Sequence, residues 1–144
     1  VDDFIVTDYS DDCSSVSIHF MGMAGTPYES GEFEVKFRLR ATFPFSAPKV
    51  TFTTQVFHPN IGLSGTVCMD MHSNWAPATT LIEVEEGCRA LLGMPNPHSP
   101  LNGDAAHMLE SDPSLYNDTA RYWTSVFANG SNKPARLAAI VQEA

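Results

Sequence analysis

Apolar and polar side chains alternate without a break along Phe33-Glu34-Val35-Lys36-Phe37-Arg38-Leu39-Arg40. Successive side chains of a strand point to opposite faces, so this alternation predicts a strand with one face buried and one in water. Two shorter β-rich runs, Ser17 to Met21 and Val50 to Thr53, lie on either side of it. They are set off by the turn-prone Gly25-Thr26-Pro27, Ser30-Gly31 and Phe43-Pro44-Phe45-Ser46-Ala47-Pro48. Short connections between successive strands predict an antiparallel meander.

From Thr54 to Ala78 the periodicity disappears, and Gly, Pro, Asn, Ser and His gather around a few apolar residues. So long a stretch without a pattern inside a compact domain points to function. Beyond it, Thr80-Leu81-Ile82-Glu83 has the spacing of a capping box, Leu81, Val84, Cys88, Leu91 and Leu92 recur at helical intervals, and Gly93 stands where a C′ residue belongs. A short helix is predicted near Asp104 to Glu110, and Asp112-Pro113 supplies an N-cap and an N1 proline for a longer one reaching about Ala128. A last amphipathic run covers Pro134 to Val141. Strands first and helices after, without βαβ alternation, predict an α+β fold with helices on one face of the sheet.

Composition narrows the classes. A chain of 144 residues with 43% hydrophobic content suits one domain, residues 1–144, with one ordinary core. No apolar run is long enough to span a bilayer, and Val1-Asp2-Asp3-Phe4 lacks the basic-then-apolar order of a secretory signal. Three widely spaced cysteines, Cys13, Cys68 and Cys88, provide neither a disulfide framework nor a four-cysteine zinc site. The expectation is an intracellular protein of the cytoplasm or nucleus. The triplets Asn117-Asp118-Thr119 and Asn129-Gly130-Ser131 match a glycosylation acceptor but need a secretory route that nothing else supports. A net charge of −9, with eight Lys and Arg residues in no dense run, argues against nucleic acid and anionic membrane as partners.

Within the irregular stretch, Phe57-His58-Pro59-Asn60-Ile61-Gly62-Leu63-Ser64-Gly65-Thr66-Val67-Cys68-Met69-Asp70 places a carboxamide, a thiol and a carboxylate within eleven residues, a set suited to acyl transfer. Taken alone, a single cysteine is more often an inert buried thiol. A cysteine hydrolase with His58 or His72 as base needs an imidazole within reach of sulfur. A zinc site from Cys68 and His72 leaves two ligands unaccounted for, so no metal is expected.

The segment resembles the ubiquitin-conjugating enzymes, in which a His-Pro-Asn triplet precedes the active cysteine by the interval that separates Asn60 from Cys68. The resemblance runs from about Ser17 to Ala128. It takes in Pro27-Tyr28-Glu29-Ser30-Gly31, Phe43 to Val50, Trp75-Ala76-Pro77-Ala78-Thr79 and Pro95-Asn96-Pro97-His98-Ser99-Pro100-Leu101, in the family's order. It implies a UBC-like α+β fold, an antiparallel four-stranded meander packed by helices.

The resemblance also implies roles. Cys68 is expected to take the C-terminal glycine of ubiquitin from an activating enzyme by transthioesterification, and to pass it to a lysine of a protein substrate or to a ligase cysteine. No bound cofactor is implied, because ATP is used by the activating enzyme. Asn60 resembles the family's hydrogen-bond donor at the active site, acting on the oxyanion or on the loop that shapes the site. Asp70 and Ser99 resemble the residues that orient or deprotonate the incoming lysine; many members carry Asp in place of Ser99, which leaves Asp70 as the assisting carboxylate or as a plain loop acid. His58 and Pro59 brace the loop, and Trp75 reads as packing. Phe45, Pro77 and Ala78 resemble the two loops on which RING or HECT-type ligases dock, an apolar anchor within polar surface. Cys13 and Cys88 read as structural.

Two departures stand out. The family's fold opens with an amphipathic helix that contacts the activating enzyme, whereas strand-like sequence is reached here by Val16, so that helix is expected to be missing. Cys68 to Trp75 is also about a residue shorter than usual. The alternatives are a non-catalytic adaptor of the same fold and a carrier of another ubiquitin-like modifier of the NEDD8 type.

Overall fold

The computed structural model of the chain describes residues 5–12, 14–67, 75–98 and 100–130. Along the chain run β1 (Ile5–Tyr9), β2 (Ser15–Met21), β3 (Glu32–Arg38), β4 (Lys49–Phe52), α1 (Leu81–Gly93), α2 (Gly103–Ser111) and α3 (Pro113–Phe127). The strands form one antiparallel four-stranded sheet in chain order, the expected meander.

Register follows from the alternation. Val35 stands opposite Ile18 and Phe52, Phe37 opposite Val16 and Val50, and Phe33 opposite Phe20. These apolar residues share one face, which α1 and α3 cover with Val84, Cys88, Leu92, Tyr116 and Ala120. Phe20, Phe33, Val35 and Phe37 are completely buried, and each such side chain removed from water is worth about 1.5–3 kcal/mol.

Strand β1 was not predicted. Its pairing with β2 shifts between Val6 and Asp8, so the period of two is broken, and it forms an edge of the sheet. Helix α1 begins as predicted: Thr80 Oγ1 accepts from Glu83 N at 3.2 Å and Thr80 N donates to Glu83 Oε2 at 3.3 Å. Its end differs. Gly93 is the last helical residue rather than a left-handed C′ residue, and the N–H of Met94 closes the helix on the carbonyl of Leu91. Helix α3 starts at Pro113 with Asp112 Oδ1 accepting from Leu115 N at 3.1 Å, and Asn102 caps α2 in the same way on Ala105 N.

On the buried side of α1, Glu85 is held by Arg89 one turn later at 2.6 Å, and the guanidinium lies 5.6 Å above the Phe20 ring. A buried carboxylate is tolerated when a cation and hydrogen bonds replace its water. The amphipathic run Pro134 to Val141 lies outside the described residues. No described helix is long and apolar enough to cross a membrane.

Candidate functional site

The irregular stretch between β4 and α1 begins with a compact turn and hairpin. Gly65 allows the hairpin: its φ of +88° is the left-handed backbone that glycine adopts freely, and a Cβ there would collide with the carbonyl oxygen of Phe52. Gly62 N donates to Thr66 O at 2.8 Å, Gly65 N to Gly62 O at 2.9 Å, and Phe52 N to Gly65 O at 2.8 Å. Ile61 is bridged to both His58 and Val67. The residue after Asn60 therefore lies beside the residue before Cys68, although eight positions separate Asn60 from Cys68 in sequence.

His58 is fully buried beneath this turn. Its Nε2 stands 2.8 Å from the carbonyl oxygen of Leu91 in α1, and the N–H of Asn60 donates to Nδ1 at 3.0 Å. A carbonyl only accepts and a backbone N–H only donates, so the ring is the neutral tautomer with its proton on Nε2. Burial pushes its pKa down to about 4, against a smaller upward pull from the Leu91 carbonyl. Both ring nitrogens are committed, so neither remains for a thiol. The hydrolase alternative loses His58 as its base.

Asn60 is 3% exposed, and its carboxamide pairs twice with the backbone of Asn96. Oδ1 accepts from Asn96 N and Nδ2 donates to Asn96 O, both at 2.7 Å. The carbonyl of Pro59 accepts from Leu101 N at 2.8 Å and Asn102 N at 3.0 Å. The His-Pro-Asn turn is thus fastened to the end of α1 by His58 and to the α1–α2 connection by Pro59 and Asn60. One hydrogen of the Asn60 carboxamide has no partner among the described residues.

A second cluster joins two surface loops. Trp75 Nε1 donates to the carbonyl of Pro44 at 2.7 Å, and the Trp75 and Phe43 rings lie 6.0 Å apart. The indole therefore ties the β3–β4 loop to the loop before α1. Phe45, beside that bonded carbonyl, is 80% exposed, and Pro77 and Ala78 are exposed on the other loop. Exposed apolar side chains on loops held together in this way form a surface for an apolar anchor. Trp75, expected to be packing, does pack against the core and also makes this bond.

His58, Pro59 and Asn60 thus form one tethered unit beside Val67, and Phe45 lies next to a carbonyl bonded across to the Pro77 and Ala78 loop. Cys68, Asp70 and Ser99 lie outside the described residues, as do His72 and Cys13. Cys88 is buried on α1, and that burial pushes its thiol up to about 12. Sequence reasoning did not find Leu91 or the backbone of Asn96 as partners; main-chain partners leave no signature in side-chain identity. Among the described residues, no group of three or more His, Cys, Asp or Glu could hold a metal ion.

Residues 2–124 match the family described as ubiquitin-conjugating enzyme. A structure assigned to a ubiquitin conjugating enzyme from Plasmodium yoelii superposes with a TM-score of 0.83 at 30% identity, covering 88% of this chain and 84% of its own. The E2 domain of a ubiquitin conjugating enzyme from Toxoplasma gondii superposes with a TM-score of 0.83 at 31% identity, covering 87% of this chain and 88% of its own.

Proposed function

The chain belongs to the ubiquitin-conjugating enzyme family, and from that premise we propose that it carries ubiquitin as a thioester on Cys68 and delivers it to a lysine amine or a ligase cysteine. The observation that carries this reading is the tethered turn. Asn60 is held by both ends of its carboxamide, with one N–H unpartnered among the described residues, and the next residue, Ile61, is bridged to Val67, which precedes Cys68 in sequence.

In the first step the Cys68 thiolate attacks the thioester carbonyl that joins ubiquitin to the activating enzyme. A new C–S bond forms, the old one breaks, and the proton lost by Cys68 is returned to the departing thiolate. An ordinary cysteine near pKa 8.5 is only a few per cent thiolate at neutral pH. Exchanging one thioester for another is close to balanced in energy, so no strong base is needed beside the sulfur. ATP is spent by the activating enzyme upstream.

In the second step a neutral amine attacks the Cys68 thioester, an oxyanion develops on the former carbonyl oxygen, and collapse forms the amide and releases the thiolate. The second carboxamide N–H of Asn60 is the donor for that oxyanion, a contribution typically worth about 3–4 kcal/mol. Asp70 orients the lysine and accepts its surplus proton, and Ser99 helps to position it. Lysine near pKa 10.4 is mostly protonated at neutral pH, so a nearby carboxylate raises the fraction able to attack. Transfer to a ligase cysteine repeats the first step with a different acceptor. His58 and Pro59 brace the turn, and Phe45, Pro77 and Ala78 receive a RING or HECT-type ligase.

The test is incubation with ubiquitin, activating enzyme and ATP without reductant, followed by a chase with free lysine. The expected product is a conjugate that a thiol reductant removes, that lysine discharges, and that Cys68→Ser converts into a reductant-stable ester. A chain that charges only with a NEDD8-type modifier would change the modifier. A chain that charges with none would leave the adaptor reading.

A further inference from the structure

The tethering of the His-Pro-Asn turn has one more member, outside the groups assigned above. Tyr28, in the β2–β3 connection, and Tyr116, in the first turn of α3, are both buried in the core. The Tyr28 hydroxyl lies 2.6 Å from the carbonyl oxygen of Phe57 and 2.6 Å from the hydroxyl of Tyr116. A phenol has one proton and a carbonyl only accepts, so Tyr28 donates to Phe57 and Tyr116 donates to Tyr28. The direction of the chain of bonds is fixed, and it ends on the residue immediately before His58.

Tyr28 is itself well anchored. Its N–H donates to Thr26 Oγ1 at 3.2 Å, and its carbonyl accepts from Gly31 N at 3.0 Å. A Cβ on Gly22 would strike that same carbonyl, so the chain on either side is closely fitted around it. Its ring lies 5.9 Å from the His58 ring and edge-on to Phe33 at 6.2 Å. Burial pushes both phenols up, Tyr116 to about 12, so both remain protonated donors at neutral pH. Phenylalanine would fill nearly the same volume; what the two hydroxyls add is a directed bond to one carbonyl.

We propose that Tyr28, oriented by Tyr116, is a positioning residue for ubiquitin transfer: its hydroxyl fixes the Phe57 carbonyl and so sets where the His58-Pro59-Asn60 turn, and the Asn60 carboxamide, stand. The proposal rests on the reading of Asn60 given above. His58 holds the turn from α1, Pro59 and Asn60 hold it from the α1–α2 connection, and Tyr28 holds its entry from the opposite end of the sequence. A shift of an ångström in a donor of this kind is enough to cost on the order of a hundredfold in rate.

The experiment compares wild type, Tyr28→Phe, Tyr116→Phe, Asn60→Ala and the double variant Tyr28→Phe/Asn60→Ala at equal folded concentration. Two single-turnover rates are measured, charging by the activating enzyme and discharge onto free lysine. Tyr28→Phe is expected to slow discharge about tenfold while charging changes less than about twofold: both steps raise an oxyanion, but thiol exchange runs between two good leaving groups and leans less on a positioned donor than amine attack does. Tyr116→Phe leaves the bond to Phe57 in place and should slow discharge by no more than about threefold. In the Asn60→Ala background, Tyr28→Phe should have no further effect.

Charging and discharge falling together, discharge unchanged, full additivity with Asn60→Ala, or outright unfolding of Tyr28→Phe would each overturn the proposal. A nitrogen NMR spectrum of the His58 imidazole gives a readout independent of activity. Its resonances should move in Tyr28→Phe and less in Tyr116→Phe, and unmoved resonances would sink the idea. If wild type takes no ubiquitin, the Asn60 reading fails on its own, and the His58 resonances alone decide whether Tyr28 sets the turn.

Discussion

His58 makes stability fall with acid in a specific window. Its folded pKa is about 4, whereas an exposed histidine titrates near 6.5. Between those values the unfolded chain binds a proton that the folded chain refuses, so stability is fully present above about pH 6.5 and is lost progressively as pH falls toward about 4. The gap of about 2.5 units sets a limit of about 3 kcal/mol, of which about 2 kcal/mol is lost between about pH 7.5 and about pH 5. The assay is urea unfolding of wild type and His58→Gln across that range. Glutamine is less stable throughout, because it cannot serve both Leu91 and Asn60, but it carries no titrating ring. The difference between the two proteins should shrink by about 2 kcal/mol on going to pH 5. Parallel curves would show that His58 is not buried neutral, and with it the tautomer and the tethering of the turn would fall.

Three other expectations follow from the same geometry. Asn60→Ala removes two 2.7 Å bonds to Asn96 and should cost about 2 kcal/mol, a melting point lower by about 6 °C for a domain of this size; lysine discharge should fall by about a hundredfold or more, and an unchanged melting point would contradict the bonds. Gly65→Ala places a Cβ against the Phe52 carbonyl at a φ of +88°, so its urea midpoint should drop by the equivalent of at least about 2 kcal/mol, and a neutral outcome would refute the hairpin. The Cys88 thiol, buried and pushed up to about 12, should resist iodoacetamide in the native protein at about pH 8 and react only in denaturant; ready native labelling would contradict its place in the core.

Local patterns were legible wherever the physics is local. The alternation from Phe33 to Arg40 became β3, ending at Arg38, and the Thr80 and Glu83 spacing became a formed capping box. Asp112-Pro113 opened α3 as its chemistry required. The misses had physical causes too. Strand β1 carries a register shift that destroys the period on which its recognition depends, and Gly93 finishes α1 inside the helix because the Met94 N–H already satisfies a terminal carbonyl. At the site, the His-Pro-Asn triplet could be read by its spacing to Cys68. What holds it could not: Leu91 is 33 residues from His58, Asn96 is 36 from Asn60, and Tyr116 is 88 from Tyr28, and two of those three partners act through the main chain. The expected docking residues Phe45, Pro77 and Ala78 were named from resemblance, whereas the indole bond that ties their loops joins Trp75 to a main-chain carbonyl 31 residues away and has no sequence signature.

The most direct test of the central claim is to locate the attachment by mass. After incubation with ubiquitin, activating enzyme and ATP, the intact chain should gain one ubiquitin less one water, and a digest under mildly acidic, thiol-free conditions should place the ubiquitin C-terminal glycine on the peptide containing Cys68. Treatment with a thiol should restore the starting mass, and Cys68→Ser should hold the same gain through that treatment. No gain in mass, or a thiol-sensitive gain that persists in Cys68→Ser, would contradict the account.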